Sequence, residues 1–147
     1  MPDKKTLERA AKDKREGKAP TTQAGEFVRE EIEHIREGKH GARSTRQAIA
    51  IGLSKARRAG VDLPPPKKGD TSERIRKSAK SAYEAGQRGA KPPSKRRSRA
   101  ATKALEDEPR SVVSSAALSK QAKTAARKRT ARDRSAAAKK AARTRKR

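Results

Sequence analysis

STRQAIAIGLSKARRAG, Ser44 to Gly60, carries the marks of one complete helix. Ser44 followed by Gln47 is a capping-box spacing, in which a hydroxyl and an amide close two orphan backbone donors. Gly60 can take the left-handed conformation that often ends a helix. Between them Ile49, Leu53 and Ala56 recur at i, i+4 and i+7, with Gly52 beside them on the same face. Arg46, Lys55, Arg57 and Arg58 carry the charge. The stretch predicts a short helix with an apolar stripe, a small notch and a cationic rim.

A second stripe lies just upstream. In Glu26–Glu37, EFVREEIEHIRE, the residues Val28, Ile32 and Ile35 fall at helical spacing with Phe27 beside them, and Gly38 stops the run. The remaining face holds Glu26, Glu30, Glu31, Glu33 and Glu37 against Arg29 and Arg36. Two neighbouring amphipathic helices of opposite charge predict an αα-hairpin over 26–63. Its core would be Phe27, Val28, Ile32, Ile35, Ile49, Ile51, Leu53, Val61 and Leu63. Glu30, Glu31, Glu33 and Glu37 would pair with Arg43, Arg46, Arg57 or Arg58. Domains below roughly 40 residues usually need a staple or a partner. The hairpin is therefore expected to form a homodimer through 26–60 or to fold on a partner.

The flanks are weaker. Residues 1–25 read as a charged arm: a marginal helix from Asp3 to Glu16 with one leucine, Leu7, then a break from Gly17 to Gly25. Residues 64–89 read as a spacer, Pro64-Pro65-Pro66, and a third helix. Asp70, Thr71 or Ser72 would cap that helix, Ile75, Ala79, Ala82 and Tyr83 would line it, and Gly86 and Gly89 would close it. Pro92-Pro93 mark a further boundary, and 90–147 is a Lys/Arg/Ala-rich tail. The fold class expected is mainly α: a small central helical hairpin with long disordered or conditionally helical basic arms.

Composition sets the function class. Of 147 residues, 30% are hydrophobic and 1% aromatic, while 40% are charged with a net charge of +25. Low hydrophobicity with high net charge leaves most of such a chain unable to offset its ordering entropy by burial. The tail from Ala90 holds 20 Lys+Arg against 4 Asp+Glu, a net of +16, so the excess is concentrated there. Such an excess points to a polyanion. Nucleic acid is expected, double-stranded DNA ahead of RNA, with an anionic membrane surface as competitor.

The contacts expected are Arg43, Arg46, Lys55, Arg57 and Arg58 on the central helix. In the tail they are Lys95, Arg96, Arg97, Arg99, Arg127, Lys128, Arg129, Lys139, Lys140, Arg143, Arg145, Lys146 and Arg147. These neutralise phosphates and release counterions without reading bases. Residues 44–60 contain no Asn, and Gln47 is used in the cap.

Other chemistry finds little support. There is no cysteine, hence no disulfide, thiolate nucleophile or zinc–thiolate site. No apolar run reaches membrane-spanning length, and the N-terminus lacks the apolar core of a secretory signal. The expected location is cytoplasmic, at the nucleoid. His34 and His40 could hold a metal with Glu30 or Glu37, but no third strong ligand is evident, and two surface histidines are expected. No catalytic constellation, Gly-rich phosphate loop or stacking platform is visible, so neither an enzyme nor a cofactor is expected. The alternatives are a protein–protein interaction module using the 26–60 helices, and an RNA-binding protein.

GKHGARSTRQAIAIGLSKARRAGVDLPPPKKG, Gly38 to Gly69, resembles the signature of a bacterial family of small basic proteins of unknown function. The resemblance implies a bacterial source and brings no activity. SAAAKKAARTRKR, from Ser135, is similar to the C-terminal arms of linker histones and of histone-like nucleoid proteins, which implies backbone binding. No winged-helix sequence precedes the tail, and no aromatic β-arm is present, so bending and sequence-specific activity are not implied.

Overall fold

The computed structural model describes residues 1–89 and 94–146. Its helices are α1 (Lys4–Arg15), α2 (Pro20–Arg36), α3 (Thr45–Arg58), α4 (Glu73–Gln87), α5 (Lys95–Glu106), α6 (Ser115–Arg127) and α7 (Ala131–Arg145), with a 3₁₀ turn at Ser111–Val113. The chain is mainly α, and the described residues contain no β-strand, only an isolated bridge between Lys68 and Thr71.

α3 has the ends its sequence predicts. The Ser44 hydroxyl accepts from the Gln47 backbone N–H at 3.2 Å, and Gln47 Oε1 accepts from the Arg43 N–H at 2.7 Å. The amide thus reaches one residue further back than in a standard capping box. At the other end Gly60 has φ +86°. Its N–H donates to Arg57 O, and the Val61 N–H donates to Ala56 O, both at 3.1 Å. This is the paired closure of a Schellman motif.

α2 packs on both α1 and α3, and α3 packs on both α2 and α4. Two apolar clusters sit at opposite ends of the antiparallel α2–α3 pair. One joins Ala10, Ala24, Phe27, Ala56 and Val61, flanked by Leu53 and Leu63. The other joins Ile35, Ala42, Ala48 and Val113, flanked by Ile32 and Val112. Alanine recurs at every interface: Ala79 and Ala82 are the buried residues of α4. Small residues bring the backbones together, as at Gly52 between α2 and α3. A Cβ there would lie 2.6 Å from Val28 Cα.

Four expectations need correction. First, α2 begins at Pro20, not Glu26. Proline at the first helical position loses no hydrogen bond and pre-sets φ, and Gly25 is carried within the helix. Second, α1 is not a fraying arm held by one leucine. Thr6, Ala10 and Asp13 are its buried residues, while Leu7 is 40% exposed. Its C-terminus is tied by Lys18, whose ammonium lies 2.7 Å from Asp13 and 2.8 Å from Glu16. Hydrogen bonds to Asp13 and then Glu16 raise the Lys18 pKa above its ordinary value. Third, Ser72 caps α4 as expected, but Gly86 does not close it. Gly86 lies inside α4 against the Arg57 carbonyl, where a side chain would collide, and Gly89, φ +63°, follows the end.

The fourth correction concerns the tail, which does not run as one unstructured arm: residues 95–106, 115–127 and 131–145 are helical. Ser94, Ser114 and Thr130 accept from the backbone N–H three residues on and start the three helices. Between α5 and α6 the chain docks on the α2–α3 loop. Leu105 O and Pro109 O accept from the Gly41 and Ala42 N–H groups at 2.7 and 3.2 Å. Thr45 Oγ1 donates to Val112 O at 2.6 Å, and Arg36 donates to Val113 O at 3.2 Å. Val113 is 1% exposed. The hairpin's apolar surface is thus covered by α1, α4 and this returning segment. The expected boundary at Pro92-Pro93 lies outside the described residues.

The α2–α3 approach sets opposite outcomes for two glycines. Gly52→Ala meets backbone atoms that cannot swing aside, and is expected to cost about 1–3 kcal/mol despite alanine's better helix propensity. Gly25→Ala, with nothing within 4 Å of the new Cβ, should stabilise by up to ~1 kcal/mol. Urea unfolding followed by circular dichroism measures both; a Gly52→Ala variant as stable as the parent would refute the close approach.

Candidate nucleic-acid interface

The tail helices sort their charges by face. At 3.6 residues per turn, positions three, four, seven or eleven apart lie on one side. Lys95, Arg99 and Lys103 meet this spacing on α5, and Lys120, Lys123 and Arg127 meet it on α6. On α7 the row is Arg132, Lys139 and Arg143, continued by Lys146 at the C-cap. All ten side chains belong to exposed residues. α5, α6 and α7 have no buried residue among them. Among the described residues, none of the lysines or arginines from 94 to 146 pairs with a carboxylate. Lys140 and Arg143 border an open cleft with Glu16, Gly17 and Lys18.

Of the contacts expected from sequence, Lys95, Arg96, Arg97, Arg99, Arg127, Lys128, Arg129, Lys139, Lys140, Arg143, Arg145 and Lys146 are exposed, and Arg147 lies outside the described residues. Sequence reasoning looked for runs of adjacent charges and so passed over Lys103, Lys120, Lys123 and Arg132. Each stands alone in sequence and falls into a row only at helical spacing.

The central helix divides differently. Arg46 and Arg58 are exposed. Arg43 holds Glu108 of the returning segment at 2.8 Å. Arg57 turns inward: it is 7% exposed and donates to Leu63 O at 3.0 Å and Pro64 O at 3.3 Å. Burial pulls its pKa below the ordinary arginine value, and its hydrogen bonds tie the Val61–Pro64 stretch to α3. Lys55 also turns inward. Its ammonium lies 2.6 Å from Glu31 Oε2 and 3.4 Å from Glu30 Oε1. Neither Lys55 nor Arg57 is therefore placed to meet phosphate.

The glutamate pairings are also redrawn. Glu30 and Glu31 are 2% and 0% exposed. They face Lys55, not Arg43, Arg46, Arg57 or Arg58. Glu30 Oε2 also accepts from the Asp3 backbone N–H at 3.0 Å. Glu37 pairs with Lys39 at 2.9 Å, while Glu33 is exposed. The sequence sets the acidic face against the arginines of α3 because its stripe is matched to one neighbour. With α1 packed on the other side, the buried sector of α2 widens to Gln23, Ala24, Phe27, Glu30, Glu31 and Ile35. Glu31 is short of partners. Lys55 and His40 lie within ion-pair distance, but neither carboxylate oxygen receives a well-angled hydrogen bond.

Residues 4–68 match a family described as of unknown function, DUF6496. The match takes in α1, α2 and α3 with the buried Glu30–Glu31–Lys55 group, and stops before α4 and the tail. No curated protein and no solved structure matches the chain. No described helix is long and apolar enough to cross a membrane.

Removing one partner of a buried ion pair leaves the other charge uncompensated. Lys55→Ala should therefore cost about 3 kcal/mol of stability, whereas Arg58→Ala, on the exposed rim, should stay within ~0.5 kcal/mol. Denaturant midpoints compare the two; equal midpoints would mean that Lys55 does not offset the burial of Glu30 and Glu31.

Proposed function

We propose that this protein binds nucleic acid, double-stranded DNA first, through phosphate contacts of its C-terminal helices and without reading bases. The observation that carries the reading is the set of one-sided cationic rows on α5, α6 and α7, exposed and without carboxylate partners. Like charges three or four residues apart repel along a helix. A row of phosphates removes that repulsion and releases condensed counterions, which supplies affinity that depends on salt and not on sequence. The α7 row runs from Arg132 to Lys146, about 21 Å at 1.5 Å per residue. That length lets several phosphates be met at once.

The same physics makes the tail's helices conditional. α5 and α7 bury nothing, so little holds them in water beyond alanine propensity and their caps. On DNA they gain neutralisation, and helicity should rise with binding. A nucleoid location follows from this reading. RNA would satisfy the same phosphate contacts and is the alternative polyanion. A role as a protein–protein module through 26–60 gains less support, because α1, α4 and Val113 cover the stripe it would use.

Neutralising about ten phosphates gives a slope near −9 for log affinity against log salt. Replacing Arg132, Lys139, Arg143 and Lys146 together by Gln should flatten that slope by roughly 3–4. Fluorescence anisotropy on a labelled duplex across a salt series measures it, and an unchanged slope would remove the α7 row from the interface. Scrambling the duplex sequence should leave both lines where they are.

A further inference from the structure

The two histidines are not on the surface. The side chains of His34 and His40 are 13% and 11% exposed, and His40 Nε2 stands 3.2 Å from Glu31 Oε1. The donor atoms of Glu31, His34 and His40 all lie within 4.8 Å of one another, and so do those of Asp3, Glu30 and His34. His34 belongs to both groups. Its Nε2 is 3.4 Å from Asp3 Oδ2. A tetrahedral zinc ion with bonds near 2.0–2.1 Å holds its ligands about 3.3 Å apart, close to the 3.2 Å between His40 and Glu31.

The tautomer sharpens the case. His40 Nδ1 lies 3.0 Å from the Gly41 carbonyl oxygen. A carbonyl only accepts, so Nδ1 carries the hydrogen. In the neutral ring Nε2 then presents a lone pair to Glu31 Oε1, itself an acceptor. Two acceptors face each other, one of them on the buried Glu31, and both Glu31 oxygens lack a hydrogen bond. A cation must sit between them: a proton or a metal ion. Donation of the far ring nitrogen to a backbone carbonyl is the arrangement that orients metal-binding histidines.

We propose that Glu31, His34 and His40 bind one divalent zinc ion. Lys55 stays on the other Glu31 oxygen, Oε2, and leaves Oε1 to the metal. The formal charges agree: Asp3, Glu30 and Glu31 against Lys55 leave −2, which the ion cancels. The site would tie the C-terminal half of α2 to the α2–α3 loop. A small core gains stability from such a staple. The inference stands apart from nucleic-acid binding, since none of its ligands lies in the tail.

The chain has two histidines, so ring resonances report the site directly. Chelator-stripped, nuclease-treated, ¹⁵N-labelled full-length protein is titrated with zinc ion alone. Both imidazoles should change up to one equivalent, with His40 bound through Nε2. In competition with a chromophoric chelator, His40→Asn and Glu31→Gln should each weaken zinc binding at least about tenfold, since even outer partners of metal ligands cost that much. Glu33→Gln, an exposed carboxylate on the same helix, should not. Rings that ignore zinc and respond only to pH would overturn the proposal and leave a proton between His40 and Glu31. Equal zinc affinity in a His34→Asn, His40→Asn double variant would overturn it too. The ring spectra of the parent protein decide the matter even where a variant fails to fold.

Discussion

A chain with one phenylalanine and no tryptophan makes a core only if its backbones come close. Dispersion between individual atoms is weak and falls steeply with distance, so a core of alanines gains its contacts from axis spacing instead of side-chain bulk. Gly52 sets that spacing between α2 and α3, and Gly86 sets it between α3 and α4. Ala24, Ala48, Ala56 and Ala82 then meet neighbours directly and are fully buried. The two apolar clusters depend on this approach. Bulk at the contact would open gaps that neither Phe27 nor Ile35 could fill.

Close packing of short side chains forces a second consequence. Burial extends past the apolar residues to whatever lies beside them, and on α2 that is Glu30 and Glu31. Their desolvation is offset by Lys55 and by the Asp3 backbone N–H, a compensation that breaking one partner would undo. The central domain therefore draws some cations inward. Lys55, Arg57 and Lys18 hold structure together, while Arg46, Arg58 and the tail remain outside. Formal net charge counts both groups alike and overstates what the central helices can offer a polyanion.

Local chemistry was legible in the sequence, and context was not. The caps at Ser44 and Ser72, the stops at Gly38 and Gly60, and the α2–α3 hairpin follow from hydrogen-bonding and dihedral requirements that residues satisfy alone. The extent of α2 was missed because Gly25 suggested a break, although a glycine in a helix costs only about 1 kcal/mol. α1 was undervalued because Leu7 was taken as its anchor, when Thr6, Ala10 and Asp13 face the core. The sequence offers His34 and His40 with Glu30 or Glu37 instead of Glu31, because spacing cannot show that a loop histidine folds back over a helix. In the tail, adjacent basic clusters were visible as composition, but one-sided rows exist only once helical register is imposed.

The returning segment 105–113 gives the tail its geometry. A free polybasic arm must be ordered along its whole length when it meets a duplex, and each residue fixed costs roughly 1–2 kcal/mol. Here Gly41, Ala42, Thr45 and Arg36 already hold Leu105 to Val113 by backbone acceptors, and Val113 fills the second cluster. α5 enters this anchor and α6 leaves it, so both rows start from a fixed point. Ordering is then needed only outward from the dock, over one helix on one side and two on the other. The match to the DUF6496 family covers the loop that receives this segment but not the segment itself. The dock is thus where the central helices, through the α2–α3 loop, set the position of the charges that would meet phosphate.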